Sequence, residues 1–332
     1  MRNIFYFQWH ITDFCGNRCS HCYIDKFNRR YVTTRTATDI IYDMKDCCEE
    51  LEVMPEIAIT GGDPMLHPEI WEILRMAKSL GGRLSVLGNP EQLLVESDII
   101  KRLIDIGLDN YQVSFDGMGK VHDDIRSPGS FDRTTSAINL MLEFGLPVSV
   151  MTTVSKKNQF QIIEIMKYAY SLGVRKWSFA RYTPDVGECG ISGEAYLELM
   201  KLVVKEHEPY AKSGIALPMK DPLMRTVIDE SIEENRIVGG CGLGSSLLSI
   251  LPDNTVMACR RHRDSVLGKW KRGGDLLDFF LFHPKMDEYR RIGKIEKCSS
   301  CPLCNQCRGC RAAAFAATGN IFGKDPQCVY GD

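Results

Sequence analysis

Fourteen of the 332 residues are cysteine, and they are bunched. Cys15, Cys19 and Cys22 fall within "FCGNRCSHCY"; Cys298, Cys301, Cys304, Cys307, Cys310 and Cys328 crowd the C-terminal stretch. Cys241 and Cys259 lie between the two groups, and Cys47, Cys48 and Cys189 stand apart. Thiolates ligate soft metals, so the contenders are zinc and iron–sulfur. A closed zinc site wants four ligands, whereas Cys15-x3-Cys19-x2-Cys22 offers three thiols with His21 as the nearest fourth donor. The set Cys298-x2-Cys301-x5-Cys307 with Cys328 supplies four thiolates for one closed cluster, a zinc ribbon being the structural alternative. A secreted disulfide protein is usually smaller and core-poor, and no export signal precedes these cysteines. Cys47 and Cys48 sit in a helical pattern and are read as small buried hydrophobes.

These thiols must be held by a scaffold, and the first two thirds of the chain alternate strand and helix. "IFYFQWHIT" reads as the first strand, and "TATDIIYDMKDCCEEL" as a helix capped near Thr36 or Thr38. "EIAIT", "RLSVLGN", "NYQVSFDG", "PVSVMTTV" and "RKWSFARY" read as five further strands separated by helices, with a last helix over "GEAYLELMKLVVKEHEPYAKSG". Repeated βα units imply parallel strands and right-handed crossovers. Six units fall short of a closed eight-stranded barrel, so a partial α/β barrel is expected, with chemistry at the C-terminal ends of its strands. From about residue 240 the pattern changes to a hairpin around Pro252–Asn254, a short helix at "DLLDFFLF" and a cysteine-dense loop segment that needs metal to staple it. Three regions are expected: barrel 1–215, bridge 216–240 and cluster domain 241–332.

The CxxxCxxC spacing followed by Tyr23 resembles the motif of the radical S-adenosylmethionine (SAM) superfamily. The resemblance implies that Cys15, Cys19 and Cys22 hold three irons of a [4Fe–4S] cluster whose fourth iron is left to SAM. One electron then cleaves SAM to a 5′-deoxyadenosyl radical that abstracts hydrogen from a substrate. Further residues follow in family order. Gly61, Gly62 and Asp63 in "TGGDP" match a GGE-type motif that meets the SAM amino group, with Asp63 where many members have Glu. Tyr23 is expected to pack near adenine. Asn89, Ser114, Asp116, Thr153 and Asn158 end successive strands as cofactor contacts, and Arg181 is expected to pair with the SAM carboxylate.

The tail resembles the SPASM-type domain of radical SAM maturases, which carries auxiliary [4Fe–4S] clusters. The resemblance assigns Cys298, Cys301, Cys307 and Cys328 to one auxiliary cluster. Cys241, Cys259 and Cys310 go to the other, whose fourth position falls either to Cys304 or to substrate. Cys189 is a weak candidate for a fourth ligand or a catalytic donor, with a bystander role favoured.

A net charge of −2 carries no electrostatic footprint for nucleic acid, and no apolar run approaches a membrane span. The family layout implies a ribosomally made peptide or protein as substrate, to be crosslinked, epimerised or oxidised. A haem precursor is the alternative; an iron–sulfur electron carrier or a zinc protein is the non-enzyme reading. Only 14 residues precede Cys15, so a separate leader-peptide-binding protein is expected, unless the barrel binds substrate directly. A flavodoxin- or ferredoxin-type reductant and a cytoplasmic location are expected too.

Overall fold

The computed structural model describes residues 3–24, 27–95, 98–183, 190–228, 240–271 and 276–331. Its first strand, β1 (Ile4–Thr12), alternates buried Phe5, Phe7, Trp9 and Ile11 with Tyr6, Gln8 and His10. A period of two sends these sets to opposite faces. The apolar set joins the main hydrophobic core under the helices. The polar set faces the other way, and the registers Tyr6–Glu56–Arg83 and Gln8–Ala58–Ser85 carry that face across the sheet.

Along the chain follow α1 (Thr34–Glu50), β2 (Met54–Gly61), α2 (Ile70–Lys78), β3 (Arg83–Leu87), α3 (Asp98–Ile106) and β4 (Asn110–Ser114). Then come α4 (Lys120–Ile125), α5 (Ser130–Glu143), β5 (Val148–Val154), α6 (Ile162–Ser171), β6 (Trp177–Arg181) and α7 (Gly193–Ala211). The six strands pair in sequence order and in parallel, the partial barrel that the βα alternation predicts. Thr33 caps α1, its hydroxyl accepting from the Thr36 amide at 3.2 Å, three residues before the expected cap at Thr36 and five before Thr38.

The rest of the chain does not stand apart from this sheet. The hairpin around Pro252–Asn254 is present as β7 (Leu247–Ile250) and β8 (Thr255–Met257), followed by β9 (Val266–Lys269). β7 pairs in parallel with the free edge of β1, so one nine-stranded sheet runs β6-β5-β4-β3-β2-β1-β7-β8-β9. This joins the cysteine-rich region to the barrel through backbone hydrogen bonds. α8 (Leu276–Phe282) packs back on the first strand, Phe280 meeting Phe5 edge-on at 4.8 Å. α9 (Pro284–Tyr289) and α10 (Arg311–Thr318) complete the described helices.

Candidate functional site

Cys15, Cys19 and Cys22 leave the C-terminal end of β1 on a loop clamped by close backbone approach. The Gly62 amide donates to the Thr12 carbonyl at 2.8 Å, and the Asp63 amide to the Phe14 carbonyl at 2.7 Å. A Cβ on Gly61 would lie 2.2 Å from the Thr12 oxygen, and one on Gly62 2.1 Å from the Phe14 oxygen. The glycine pair is therefore required for the end of β2 to lie against the loop. Burial pushes the Cys15 thiol up to about 11, with the Asp63, Cys19 and Cys22 charges adding to it. Neighbouring thiolate charge thus opposes ionisation of Cys15 and Cys19, a situation that a soft cationic centre relieves.

One face of this loop is built by Asp116, which is fully buried. Arg126 donates to it through Nε at 2.6 Å and pairs through Nη2 at 2.5 Å, while the Thr153 amide donates to its other oxygen at 2.7 Å. Burial would raise the Asp116 carboxyl, but the Arg126 guanidinium overrides it and holds the group below its ordinary range. Arg126 reaches on to the Cys19 sulfur at 3.9 Å, placing a half-buried cation beside the thiols. Arg126 was missed in the sequence; its only signal is its place ten residues after Asp116, beyond a six-residue helix. His21 places its Nε2 3.6 Å from an Asp116 oxygen.

Several expected cofactor contacts have other partners. Asn158 donates to the carbonyls of Asp116 and Thr153 at 2.8 Å each, and its Oδ1 accepts from the Ser155 amide at 2.8 Å. Its amide therefore staples the loops after β4 and β5 rather than reaching a ligand. Arg181 is a clearer correction. It shares a face with Trp177 and Phe179 on the helix side of β6, its guanidinium 5.1 Å from the Tyr196 ring, away from the barrel interior. Its five N–H bonds go to Asp221, Asp325 and Gln327, and all four residues are almost fully buried. No donor is left for a SAM carboxylate. Asp63 accepts the Met65 amide at 3.2 Å through Oδ1, while its buried Oδ2 has no hydrogen-bond partner. Asn89 caps a short turn, its Oδ1 accepting from the Glu91 amide at 3.1 Å. Ser114 and Thr153 end β4 and β5, half-buried.

Tyr23 sits at the mouth of the barrel. The Gln8 amide donates to its hydroxyl at 3.5 Å, and the Arg260 guanidinium lies 4.6 Å above its ring. Arg260 follows Cys259, so this contact joins the front loop to the hairpin that carries a back cysteine.

Among the back cysteines, mutual electrostatics separate two sets. Burial, then thiolate charge at Cys241 and Cys310, pushes Cys259 up to about 11. Burial pushes Cys307 up to about 12, with Cys328 and Cys298 contributing. Cys298, raised to about 11 chiefly by burial, also feels Cys328, Cys304 and Cys301. Burial also raises Cys304, which feels the Cys301 charge. Cys189 lies outside the described residues. Among the described residues no group of three or more His, Cys, Asp and Glu side chains is drawn close enough for one metal ion. The front trio, its exposed Cys22 and the orphaned Asp63 oxygen beside Cys15 fit a multinuclear cluster with a cationic ligand at one side.

The fold and site together define a partial-barrel metalloenzyme with an early thiol trio. A Radical SAM superfamily model matches residues 9–176, and the chain belongs to that superfamily. Its cofactors are accordingly SAM and [4Fe–4S]. Among curated relatives, an AdoMet-dependent heme synthase from Oleidesulfovibrio alaskensis is 26% identical over 202 residues, covering 58% of this chain and 50% of the relative. The mycofactocin maturase MftC from Mycobacterium tuberculosis is 28% identical over 171 residues, covering 50% and 41%. The chain thus spans half or less of the length of these curated relatives. Streptococcus suis SuiB bound to SAM shares the fold with a TM-score of 0.78 at 17% identity, covering 99% of this chain and 78% of SuiB. SuiB has also been solved bound to its precursor peptide SuiA.

Proposed function

We propose that this radical SAM enzyme modifies a ribosomally made peptide or protein, by crosslinking, epimerisation or oxidation. The observation that carries the reading is the inner face of the sheet. Gln8, Ser85, Asn110, Gln112, Ser114 and Ser178 line it, a hydroxyl- and amide-rich surface suited to peptide groups. Its Glu56 and Arg83 pair with each other at 3.9 Å, so these charges offset one another. The agreement in fold with SuiB, which binds a peptide, supports the same reading.

In this reading Cys15, Cys19 and Cys22 hold the SAM-binding cluster. Cys298, Cys301, Cys307 and Cys328 hold one auxiliary cluster; Cys241, Cys259 and Cys310 hold a second. When bound, SAM and the front cluster supply one-electron chemistry and a carbon radical that takes hydrogen from substrate. Asp116 fixes Arg126 beside Cys19, Asn158 fixes the two loops around it, and Tyr23 with Arg260 narrows the mouth. Ser114 and Thr153 face the interior as cofactor contacts. A small electron-carrier protein supplies the electron, a separate protein presents the leader peptide, and the location is cytoplasmic.

A haem-precursor substrate is the second reading, favoured by the heme synthase relative. Lys220, 5.9 Å from the Tyr6 ring, and Arg260 could meet its carboxylates. Anaerobic reconstitution with iron counting, a 5′-deoxyadenosine assay and titration with iron-coproporphyrin separate the readings. About twelve irons, three four-iron clusters, with 5′-deoxyadenosine formed and no shift of the porphyrin absorption is the expected result. Zinc without SAM cleavage overturns the enzyme; saturable porphyrin binding with turnover overturns the peptide.

A further inference from the structure

We propose that the outer rim of the front cysteine loop is the docking face for an acidic one-electron carrier protein. The inference rests on the reading that the front cluster must be reduced to work. The chain as a whole is slightly acidic, with a net charge of −2. Yet Arg18 on the Cys15–Cys22 loop, Arg29 after it, and Lys156 and Lys157 on the loop after β5 are all exposed. The two loops touch: Lys157 Nζ donates to Ser20 Oγ at 3.2 Å. Two of the cations are held over aromatic rings, Arg18 at 4.0 Å from Phe27 and Arg29 at 5.0 Å from Phe14.

Most nearby carboxylates are engaged elsewhere, exposed Glu164 in the first turn of α6 being the exception. Asp13 is paired with Arg30 at 2.8 Å, Asp124 with Lys120 at 2.7 Å, and buried Asp116 with Arg126. Asp123 spends its oxygens on the amides of Gly129 and Phe131 at 2.7 and 2.8 Å. Phe160, three residues after Lys157, is 92% exposed, more so than any other large hydrophobic described. An exposed aromatic close in sequence to like charges suits a small, transient interface: charge steers the encounter and one apolar contact sets the register. Cys22 is exposed on the same loop, so a carrier seated here lies against the cluster edge. One electron leaves the carrier, which is oxidised by one unit, and arrives on the cluster, which is reduced by one.

The test uses the anaerobically reconstituted holoenzyme and a flavodoxin. Binding of oxidised flavodoxin is measured by titration calorimetry at about 20 mM and 300 mM salt, for the wild type and a Lys156→Glu, Phe160→Ser variant. The expected result is that the variant binds roughly tenfold or more weakly at low salt, with the difference shrinking at high salt. SAM cleavage driven by reduced flavodoxin falls with binding, while cleavage driven by dithionite, which needs no docking, is unchanged. Wild-type binding by the variant overturns the proposal. So does an equal loss with both reductants, which would assign these residues to cofactor or substrate instead. Absence of dithionite-driven cleavage in the wild type refutes the radical reading itself, while the calorimetry still reports on docking.

Discussion

The front and back cysteines meet the same chemical demand in opposite ways. At the front, Cys22 is exposed, Cys15 and Cys19 are half-buried, and the loop is held by backbone contacts to Gly62 and Asp63. At the back, Cys298, Cys307 and Cys310 are buried, with Arg261 and Arg308 packed among them. An open trio leaves room for a cofactor and for delivery of an electron; a closed set shields its metal and fixes the fold around it. Thiol number alone does not divide these roles, since the Cys241 trio also has three, two of them as half-buried as Cys15 and Cys19.

Paired cysteine variants test this division most severely. Cys19→Ala should abolish 5′-deoxyadenosine formation, whereas Cys307→Ala should retain SAM cleavage but yield no product; mass spectrometry of both outputs decides it. Retained cleavage in the first would end the front assignment. Next comes Gly62→Ala, where the 2.1 Å approach to Phe14 forces the loop away. Its iron content should drop by about four, one cluster's worth, with the back clusters' absorption intact. A loss spread over all clusters would mean that the clamp stabilises the whole fold.

Removing one partner from the buried Arg181 group should cost about 3–5 kcal/mol, because Asp221 and Asp325 are left uncompensated. Chemical denaturation of Arg181→Met measures it, and a cost near zero would show that water reaches the group. At the front, Arg126→Gln should weaken cluster retention by roughly 10–100-fold, as for other groups that orient metal ligands. Competition with an iron chelator reads it.

The smallest effect is on acid stability. Burial holds neutral His10 down to about 3 and His122 to about 4, against 6.5 when unfolded. Below pH 6.5 the unfolded chain binds protons that the folded one refuses, so stability falls as the pH drops toward 4. The cost is about 2 kcal/mol per histidine at pH 5. Melting curves at pH 7.5 and 5 should show the loss, reduced in His122→Asn; an unchanged difference would assign the acid sensitivity elsewhere.

Local patterns carried much of this into the sequence. The alternation in "IFYFQWHIT" matches β1 end to end, because each residue's burial depends on its own parity. The thiol spacing located the front loop for the same reason. Pairing of β7 with β1 was not legible, since a parallel edge contact about 240 residues apart leaves no trace in either strand's composition. Arg181 misled because polarity at a strand end looks alike on both faces. One residue of parity turned it from the interior to Asp221 and Asp325. Arg126 hid because a short helix reads as a loop.

That Arg181 group also has a history within synthesis. Its partner Asp325 lies 144 residues further along the chain. At ordinary elongation rates β6 waits about 7–30 s before that carboxylate is made. For that interval the sixth strand carries an arginine destined for burial with half of its counter-charge missing. The buried charge pairing at the barrel's far edge is therefore complete only once the cysteine-rich region has been made.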